Sequence, residues 1–162
     1  MIHVDLDGAS AIYRVRGLPY AAEDDPLFET GLRNGLAFLA EAGLKATLFA
    51  IAEDLYHPRK RALLEEAVAA GHEIASHSVT HRKLAPLSGD EKRREVFESR
   101  AMLADTLGVE VAGFRAPFFS VDRALFDLSA RAAHAAYRDH FGVRRHGAPV
   151  VALQRMDLES HP

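Results

Sequence analysis

Two carboxylates near the start of the chain are the first candidates for chemistry. Asp5 and Asp7 follow an apolar, β-branched stretch that ends at Gly8. In an extended strand the side chains of residues i and i+2 point to the same side, and adjacent carboxylates repel unless a cation or a proton separates them. The ordinary alternative is that one caps a turn while the other lies at the solvent edge. We expect a positive charge near this pair.

Two histidines spaced by four residues are the second candidates. His77 and His81 would lie one helical turn apart if their segment turned helically, and both imidazoles could then face one cation. The chain has nine histidines, so a surface pair at this spacing also arises easily by chance. The metal-binding interpretation is favoured because the pair follows a strand-like segment, as the two aspartates do.

An arginine at the end of another apolar segment is the third candidate. Arg115 follows residues 111–114 and precedes Pro117. Burying a guanidinium is costly without a carboxylate partner, and Asp5 or Asp7 would provide one. The alternative is an arginine that reaches the surface while the following proline and aromatic residues simply pack.

Composition limits the partners of this chain. Its 162 residues are 48% hydrophobic and 27% charged, as in one soluble globular domain. A net charge of −3 with both signs interspersed argues against a nucleic-acid partner. No segment approaches the roughly 20 apolar residues of a membrane span, and the N-terminus carries no targeting signal, so a cytoplasmic location is the default expectation. Because cysteine is absent, any metal would have N and O ligands.

Strand-like and helical segments alternate along the sequence. Apolar runs of strand length lie at 2–7, 46–51, 73–76, 111–114 and 149–153. Helices are predicted to begin at Asp25-Pro26, near residue 59, at the Ser88–Glu91 capping box and near residue 121, the last of them capped by Ser120. This order predicts an α/β domain with a parallel sheet, open or closed into a barrel. The three candidate segments then follow strands, where catalytic residues of such folds collect.

The three segments together resemble the polysaccharide deacetylase family, also called the NodB homology domain or carbohydrate esterase family four. The motifs read Val4-Asp5-Leu6-Asp7-Gly8, His77-Ser78-Val79-Thr80-His81 and Arg115-Ala116-Pro117-Phe118. The resemblance runs over residues 2–128 and implies one domain, 1–162, with a parallel-stranded, distorted (β/α) barrel. Only about five strands can be read and about 250 residues is typical of a closed barrel, so an incomplete, truncated barrel is expected, with 142–162 unassigned.

A metal-dependent amide hydrolase is the activity that this resemblance implies. Asp7, His77 and His81 would hold one divalent metal, with Zn²⁺ as the first choice and other divalent transition metals as alternatives. The reaction would be N-deacetylation of an N-acetylated sugar or polysaccharide, or hydrolysis of a small amide, by metal-activated water. Residues 9–25 are expected to form a loop that contacts the substrate. The resemblance leaves the oligomeric state undecided, with a homo-oligomer as one option.

The resemblance also assigns roles around the metal. Asp5 would be the general base, paired with and oriented by Arg115. Substrate and oxyanion contacts would come from the segment after Arg115, namely Pro117, Phe118 and Phe119. The family also supplies a late histidine that protonates the leaving amine, and His161, in a His-Pro ending, is the candidate here.

Two other functions remain open at this point. The Asp5-Leu6-Asp7-Gly8 motif also resembles that of the haloacid-dehalogenase-like phosphatases, in which the first aspartate is the nucleophile and the second the acid/base beside magnesium. That interpretation leaves the two histidines and Arg115 without a role. A third possibility is a catalytically impaired relative that still binds metal or carbohydrate, which the weak late motifs would favour.

Overall fold

Three parallel strands lie at the centre of the structure. A computed structural model describes residues 2–20, 25–128 and 131. Its sheet has the order β1 (Ile2–Asp5), β2 (Ala46–Ala50) and β3 (Glu73–Ser76), all parallel. The register pairs Asp5 with Phe49 and Phe49 with Ala75. Because the three strands end at one edge of the sheet, the segments after β1 and β3 flank the end of β2.

Helices connect the strands, as the alternating pattern predicts. They are α1 (Ala9–Val15), α2 (Pro26–Glu41), α3 (Pro58–Ala69), α4 (Gly89–Arg93) and α5 (Ser99–Leu107), with 3₁₀ turns at Ala52–Tyr56 and Pro117–Phe119, a π-helical turn at Arg94–Glu98 and a further helical segment at 123–128. Asp25 caps α2 by accepting a hydrogen bond from the Phe28 N–H (3.2 Å), and the predicted capping box of Ser88 and Glu91 begins α4.

Apolar side chains at helical spacing cover one face of the sheet. In α2 these are Phe28, Leu32, Leu36 and Leu39, all of which are buried. They meet Leu48 of β2, whose side chain is 1% exposed, in a core that α3 and α5 complete. The burial of each leucine stabilises the folded state by roughly 1.5–3 kcal/mol. Side chains alternate along a strand, so the neighbours of Leu48 in β2, Thr47 and Phe49, point to the opposite face.

The predicted fourth strand is reduced to a single bridge. Phe114 pairs in parallel with Ser76, and the hydrogen bonds on both sides of Ser76 are made at 2.9 Å, from its N–H to the Gly113 carbonyl and from the Arg115 N–H to its own carbonyl. Beyond this bridge the pairing does not continue, because Ser78 turns away with φ of 72° and donates its N–H to the Ser76 hydroxyl. The prediction of a full strand over 111–114 was wrong: residues 111–113 form no bridge, and Phe114 alone pairs with β3.

Three further sequence expectations concern the loop over residues 9–25, the helix cap at Ser120 and the strand at 149–153. The loop expected over residues 9–25 contains helix α1. The helical segment at 123–128 is capped by Asp122, which accepts from the Leu125 N–H at 2.8 Å, whereas the Ser120 hydroxyl accepts from the Ala85 N–H at 3.1 Å. The fifth strand at 149–153 lies outside the described residues. Within the described part of the chain, no helix is long and apolar enough to span a membrane.

Candidate metal centre

Three side chains from two strand ends meet at one point. Asp7 follows β1, and His77 and His81 follow β3. The Asp7 Oδ1 atom lies 3.3 Å from His77 Nε2 and 3.1 Å from His81 Nε2. One N or O atom from each residue can be chosen so that all three lie within 4.8 Å of one another. Both histidine side chains are buried while the Asp7 side chain is 35% exposed, so the cluster is open on its aspartate side.

The electrostatics of this cluster favour a cation. Burial raises the pKa of Asp7, but its contacts with the two imidazoles outweigh burial and hold that pKa well below its ordinary value. Asp7 Oδ1 and both ring nitrogens of His81 are nevertheless buried without a hydrogen-bond partner in the described structure. Unsatisfied buried polar atoms are costly. A metal ion coordinated by Asp7 Oδ1 and by Nε2 of each histidine would satisfy the unpaired Asp7 oxygen and the His81 Nε2 atom.

The orientation of His77 is fixed by the main chain. Its Nδ1 lies 2.8 Å from the Arg115 carbonyl oxygen. A carbonyl only accepts hydrogen bonds, so Nδ1 carries the proton and the lone pair of neutral His77 is on Nε2, which faces Asp7. Such an outer hydrogen bond, which sets the tautomer and ring orientation, is typical of metal-binding histidines.

The two histidines are not brought together by a helix. Residues 77–81 form an irregular loop in which Ser78 and His81 have φ of 72° and 57°. The His81 N–H donates to the Ser78 hydroxyl at 3.0 Å. The left-handed region is uncommon for residues other than glycine and clusters at functional sites. The condition set for the pair, a helical turn between them, is therefore not met, yet both imidazoles face one point.

Asp5 and Arg115 form an ion pair beside this cluster. The Arg115 Nη1 donates to Asp5 Oδ1, and its Nη2 lies 3.1 Å from His3 Nδ1. The guanidinium carbon is 3.9 Å from the centroid of the Phe49 ring, on the sheet face opposite the helices. The arginine is thus held by a carboxylate, an imidazole and an aromatic face at once, which fixes the carboxylate of Asp5 in turn.

The segment after Arg115 forms the wall of the centre. Pro117, Phe118 and Phe119 make a 3₁₀ turn in which the two phenylalanines have φ of 57° and 51°. The Phe118 ring centroid is 4.8 Å from that of His81. Both phenylalanine side chains are about half exposed, at 45% and 51%. The turn therefore presents apolar surface to solvent next to the buried histidines.

Sequence reasoning missed a buried charge cluster under the first motif. Lys60, which is 1% exposed, lies 2.9 Å from Asp25 Oδ2 and 2.8 Å from Asp54 Oδ1. Asp25 also accepts hydrogen bonds from the main-chain N–H groups of Ala9 and Ser10, at 3.0 and 3.2 Å. The sequence does not indicate that Lys60 is buried, because the residue stands between two arginines in Pro58-Arg59-Lys60-Arg61, a pattern typical of a solvated helix.

A buried glutamate was missed as well. Glu95 is 2% exposed and accepts the main-chain N–H groups of Val79 and Thr80, between the two histidines. It lies in a run of charged residues, 90–95, in which no local signal distinguishes a buried side chain from a solvated one. His161, the candidate proton donor, lies outside the described residues.

Comparison with known proteins identifies the family to which this chain belongs. A model of the polysaccharide deacetylase family matches residues 22–137, and the chain belongs to that family. The match contains the His77–His81 and Arg115 motifs but begins after Asp5 and Asp7. The roles of the two aspartates therefore depend on the first motif and on geometry.

Individual relatives agree with this assignment. The chain is 31% identical over 130 residues to a chitooligosaccharide deacetylase of Sinorhizobium fredii, covering 80% of this chain and 56% of the relative. It resembles the structure of a family 4 carbohydrate esterase from Streptomyces lividans (TM-score 0.58, 22% identity, 82% of this chain and 58% of that one). It also resembles a CE4 family pseudoenzyme from Bacillus anthracis (TM-score 0.64, 20% identity, 82% and 41%).

These likenesses establish the fold class predicted from the sequence, an α/β deacetylase-type fold with a parallel sheet. The described residues contain only part of such a barrel. The chain spans between 15% and 56% of the length of four curated relatives that it matches. Activity and substrate are therefore matters for a proposal.

Proposed function

We propose that the chain binds one divalent metal ion, with Zn²⁺ as the first choice, and hydrolyses the N-acetyl amide of a carbohydrate. The observation that carries this proposal is the convergence of Asp7, His77 and His81 on one point, where Asp7 Oδ1 and His81 Nε2 are buried without a partner in the described structure. Two neutral imidazoles and one carboxylate suit zinc or a neighbouring transition metal and leave coordination positions open, as catalytic sites require. Magnesium and calcium prefer all-oxygen sites.

A bound metal ion would act as a Lewis acid and lower the pKa of its water towards about 7. The residues around it would carry the remaining steps. Asp5, with one oxygen held by Arg115, has its second oxygen left to take the proton of the attacking water. The water oxygen bonds to the acetyl carbon, the carbon–nitrogen bond breaks, and acetate and a free amine leave.

The turn after Arg115 would bind the substrate and the oxyanion. The Phe119 and Ser120 N–H groups donate within the turn, at 3.1 and 3.0 Å, whereas no acceptor for the Phe118 N–H is present in the described structure. That N–H is the proposed oxyanion donor. The exposed faces of Phe118 and Phe119, with Pro117 between them and the arginine, would contact the acetyl group and the sugar ring.

The amine must take up a proton as it leaves. His161 remains the prediction for this donor, from the sequence alone. An alanine at this position should keep the metal and slow acetate release. Since the described residues do not include it, the experiments on the metal centre are designed to be independent of it.

Metal content tests the first half of the proposal. Purified wild-type protein loaded with Zn²⁺ and dialysed should retain one zinc per chain, and the double variant His77→Ala/His81→Ala should retain none. His57→Ala is a matched control, because His57 lies before α3 and outside the cluster. Equal zinc in the wild type and the double variant would refute the site.

Acetate release tests the second half. Zinc-loaded protein should release acetate from N-acetylated chitooligosaccharides. Asp5→Asn should keep the metal and lose acetate release, whereas Asp7→Asn should lose both. If the protein binds zinc but releases no acetate from chitooligosaccharides, peptidoglycan fragments or small N-acetyl amides, the hydrolase proposal is wrong and the chain is instead a metal- or carbohydrate-binding domain. Phosphatase activity that needs magnesium and Asp5 would instead favour the haloacid-dehalogenase-like alternative.

A further inference from the structure

The carboxylate of Glu95 accepts hydrogen bonds from the loop that contains the two histidines and from the residue just after it. Its Oε2 accepts from the N–H groups of Val79 (2.8 Å) and Thr80 (3.0 Å). Its Oε1 accepts from the Thr80 hydroxyl (2.6 Å) and from Arg82 Nη2 (3.2 Å). The glutamate is 2% exposed, so these bonds form away from water, where charge-assisted bonds are strongest.

The loop is fastened on its other side by a different element. The N–H groups of Ala52 and Glu53, in the 3₁₀ turn after β2, donate to the carbonyls of Ser78 and Val79 at 3.0 and 3.1 Å. The two peptide groups on either side of Val79 thus have their carbonyls bonded to one turn and their N–H groups bonded to Glu95. With Glu95 removed, the N–H groups of Val79 and Thr80 would have no partner among the described residues.

The loop needs such support because its backbone is strained. Ser78 and His81 both lie in the left-handed region, at φ of 72° and 57°, which is unfavourable for residues other than glycine. A loop of this kind keeps its shape only when its surroundings determine it. Without that support the His77 and His81 rings would sample separate positions, and a metal ion would have to order them on binding.

A π-helical turn and a chain of hydroxyls hold Glu95 itself. Glu95 lies in the Arg94–Glu98 turn, between α4 and α5, and such π turns are frequent at functional sites. The Ser99 hydroxyl donates to the Glu95 carbonyl (2.7 Å) and lies 2.6 Å from the Ser76 hydroxyl, which accepts from the Ser78 N–H (3.3 Å). The glutamate backbone is thereby tied to the end of β3, directly before His77.

We propose that Glu95 is a positioning residue of the metal centre: its carboxylate fixes the main chain between His77 and His81, so that both imidazoles face Asp7 before a metal ion arrives. This inference rests on the proposed function, because it presupposes that the cluster binds a metal. Residues that orient metal ligands from outside typically change metal affinity about 10–100-fold when they are mutated.

The test is zinc affinity, measured with Zn²⁺ alone by competition against a chromophoric chelator. Glu95→Gln keeps the size of the side chain but places an amide nitrogen opposite the Thr80 hydroxyl or Arg82. The expected result is zinc binding about ten-fold weaker or more. Glu98→Gln is the matched control and should bind zinc as the wild type does, because Glu98 lies in the same π turn with a half-exposed side chain that, among the described residues, pairs only with Arg94.

Two further measurements separate positioning from stability. Urea unfolding of the zinc-free variants shows whether Glu95→Gln is folded at the assay temperature, and the absorption spectrum of the Co²⁺-loaded protein reports ligand geometry. Should Glu95→Gln fail to fold, Thr80→Val removes the hydroxyl that donates to Glu95 and accepts from Arg82 Nε, and it should weaken zinc binding about three- to ten-fold.

A folded Glu95→Gln or Thr80→Val with wild-type zinc affinity and an unchanged cobalt spectrum would overturn the positioning role and leave the metal centre standing. A wild type that binds no zinc would overturn the metal centre and, with it, any role of Glu95 towards it. The two failures are therefore distinguishable by the wild-type titration alone.

Discussion

Replacing Lys60 by methionine should destabilise the fold, because it removes the cation that contacts two buried carboxylates beneath the first motif. The Lys60 ammonium is the one cation in contact with both Asp25 and Asp54 among the described residues. Asp25 keeps hydrogen bonds from the N–H groups of Ala9, Ser10 and Phe28 without it. Asp54 does not: within the described structure its Oδ2 is buried without a partner, and its Oδ1 accepts from Lys60.

The magnitude follows from this asymmetry. Breaking a buried ion pair by removing one partner costs about 3–5 kcal/mol. We expect about 3 kcal/mol for Lys60→Met, the lower end, because only Asp54 is left without a hydrogen bond. This loss is large against the roughly 5–15 kcal/mol of a typical domain. The double variant Lys60→Met/Asp54→Asn should recover most of it.

The loss should also depend on pH. Burial raises the pKa of Asp54 in spite of Lys60, and removing the lysine would raise it further. A carboxyl group whose folded pKa is raised contributes stability that is present below its unfolded pKa, 3.8, and lost as pH rises through the folded value. The deficit of Lys60→Met is therefore expected to be smaller at pH 5 than at pH 7.5.

Urea unfolding followed by circular dichroism at the two pH values measures this prediction. Arg61→Met is the control, because Arg61 lies next to Lys60 in α3 but is exposed and pairs with Glu65 on the helix surface, where such pairs contribute about 0.3–0.5 kcal/mol. A Lys60→Met deficit below about 1 kcal/mol, or one equal at both pH values, would refute the reasoning.

Three further predictions concern single side chains. Gly8→Ala would place its Cβ 2.2 Å from Asp25 Oδ2, so the carboxylate must move, and the variant should lose about 1–3 kcal/mol in urea unfolding together with zinc affinity. Burial and the charge of Lys45 lower the pKa of His72 below its ordinary 6.5, so stability present above pH 6.5 should be lost as pH falls through the folded pKa; unfolding of His72→Gln between pH 7.5 and 5.5 should change less than that of the wild type. Arg115→Lys, which keeps the charge but not the planar fork, should retain zinc and slow acetate release about ten-fold or more.

The convergence of Asp7 with His77 and His81, the proposed metal ligands, could be predicted because it depends on topology. Residues that follow parallel strands must meet at one edge of a sheet, and the sequence marks the strand ends before Asp7 and His77 by apolar runs. The partner of Arg115 could be narrowed to two carboxylates by the cost of burying a guanidinium. Neither step needs knowledge of distant packing.

The supports of the site could not be predicted, because burial decides them. Lys60 and Glu95 stand in charged runs whose pattern is typical of solvated helix surface, and their exposures of 1% and 2% arise from tertiary packing. The loop after β3 has the same limitation. Its spacing suggested a helical turn, whereas its path depends on the bonds that Glu95 and Ser76 make.

The two ligand-bearing loops share one structural device. After Asp7, the N–H groups of Ala9 and Ser10 are accepted by a buried aspartate, Asp25. Before His81, the N–H groups of Val79 and Thr80 are accepted by a buried glutamate, Glu95. In each case one carboxylate fixes two successive peptide groups beside a ligand. The charge of Asp25 is compensated by Lys60, and Glu95 is paired with Arg82 at the surface. Because these anchors are hydrogen bonds within the protein, we expect the geometry of the proposed ligands to form without the metal, so that the free energy of metal binding need not be spent on ordering the loops.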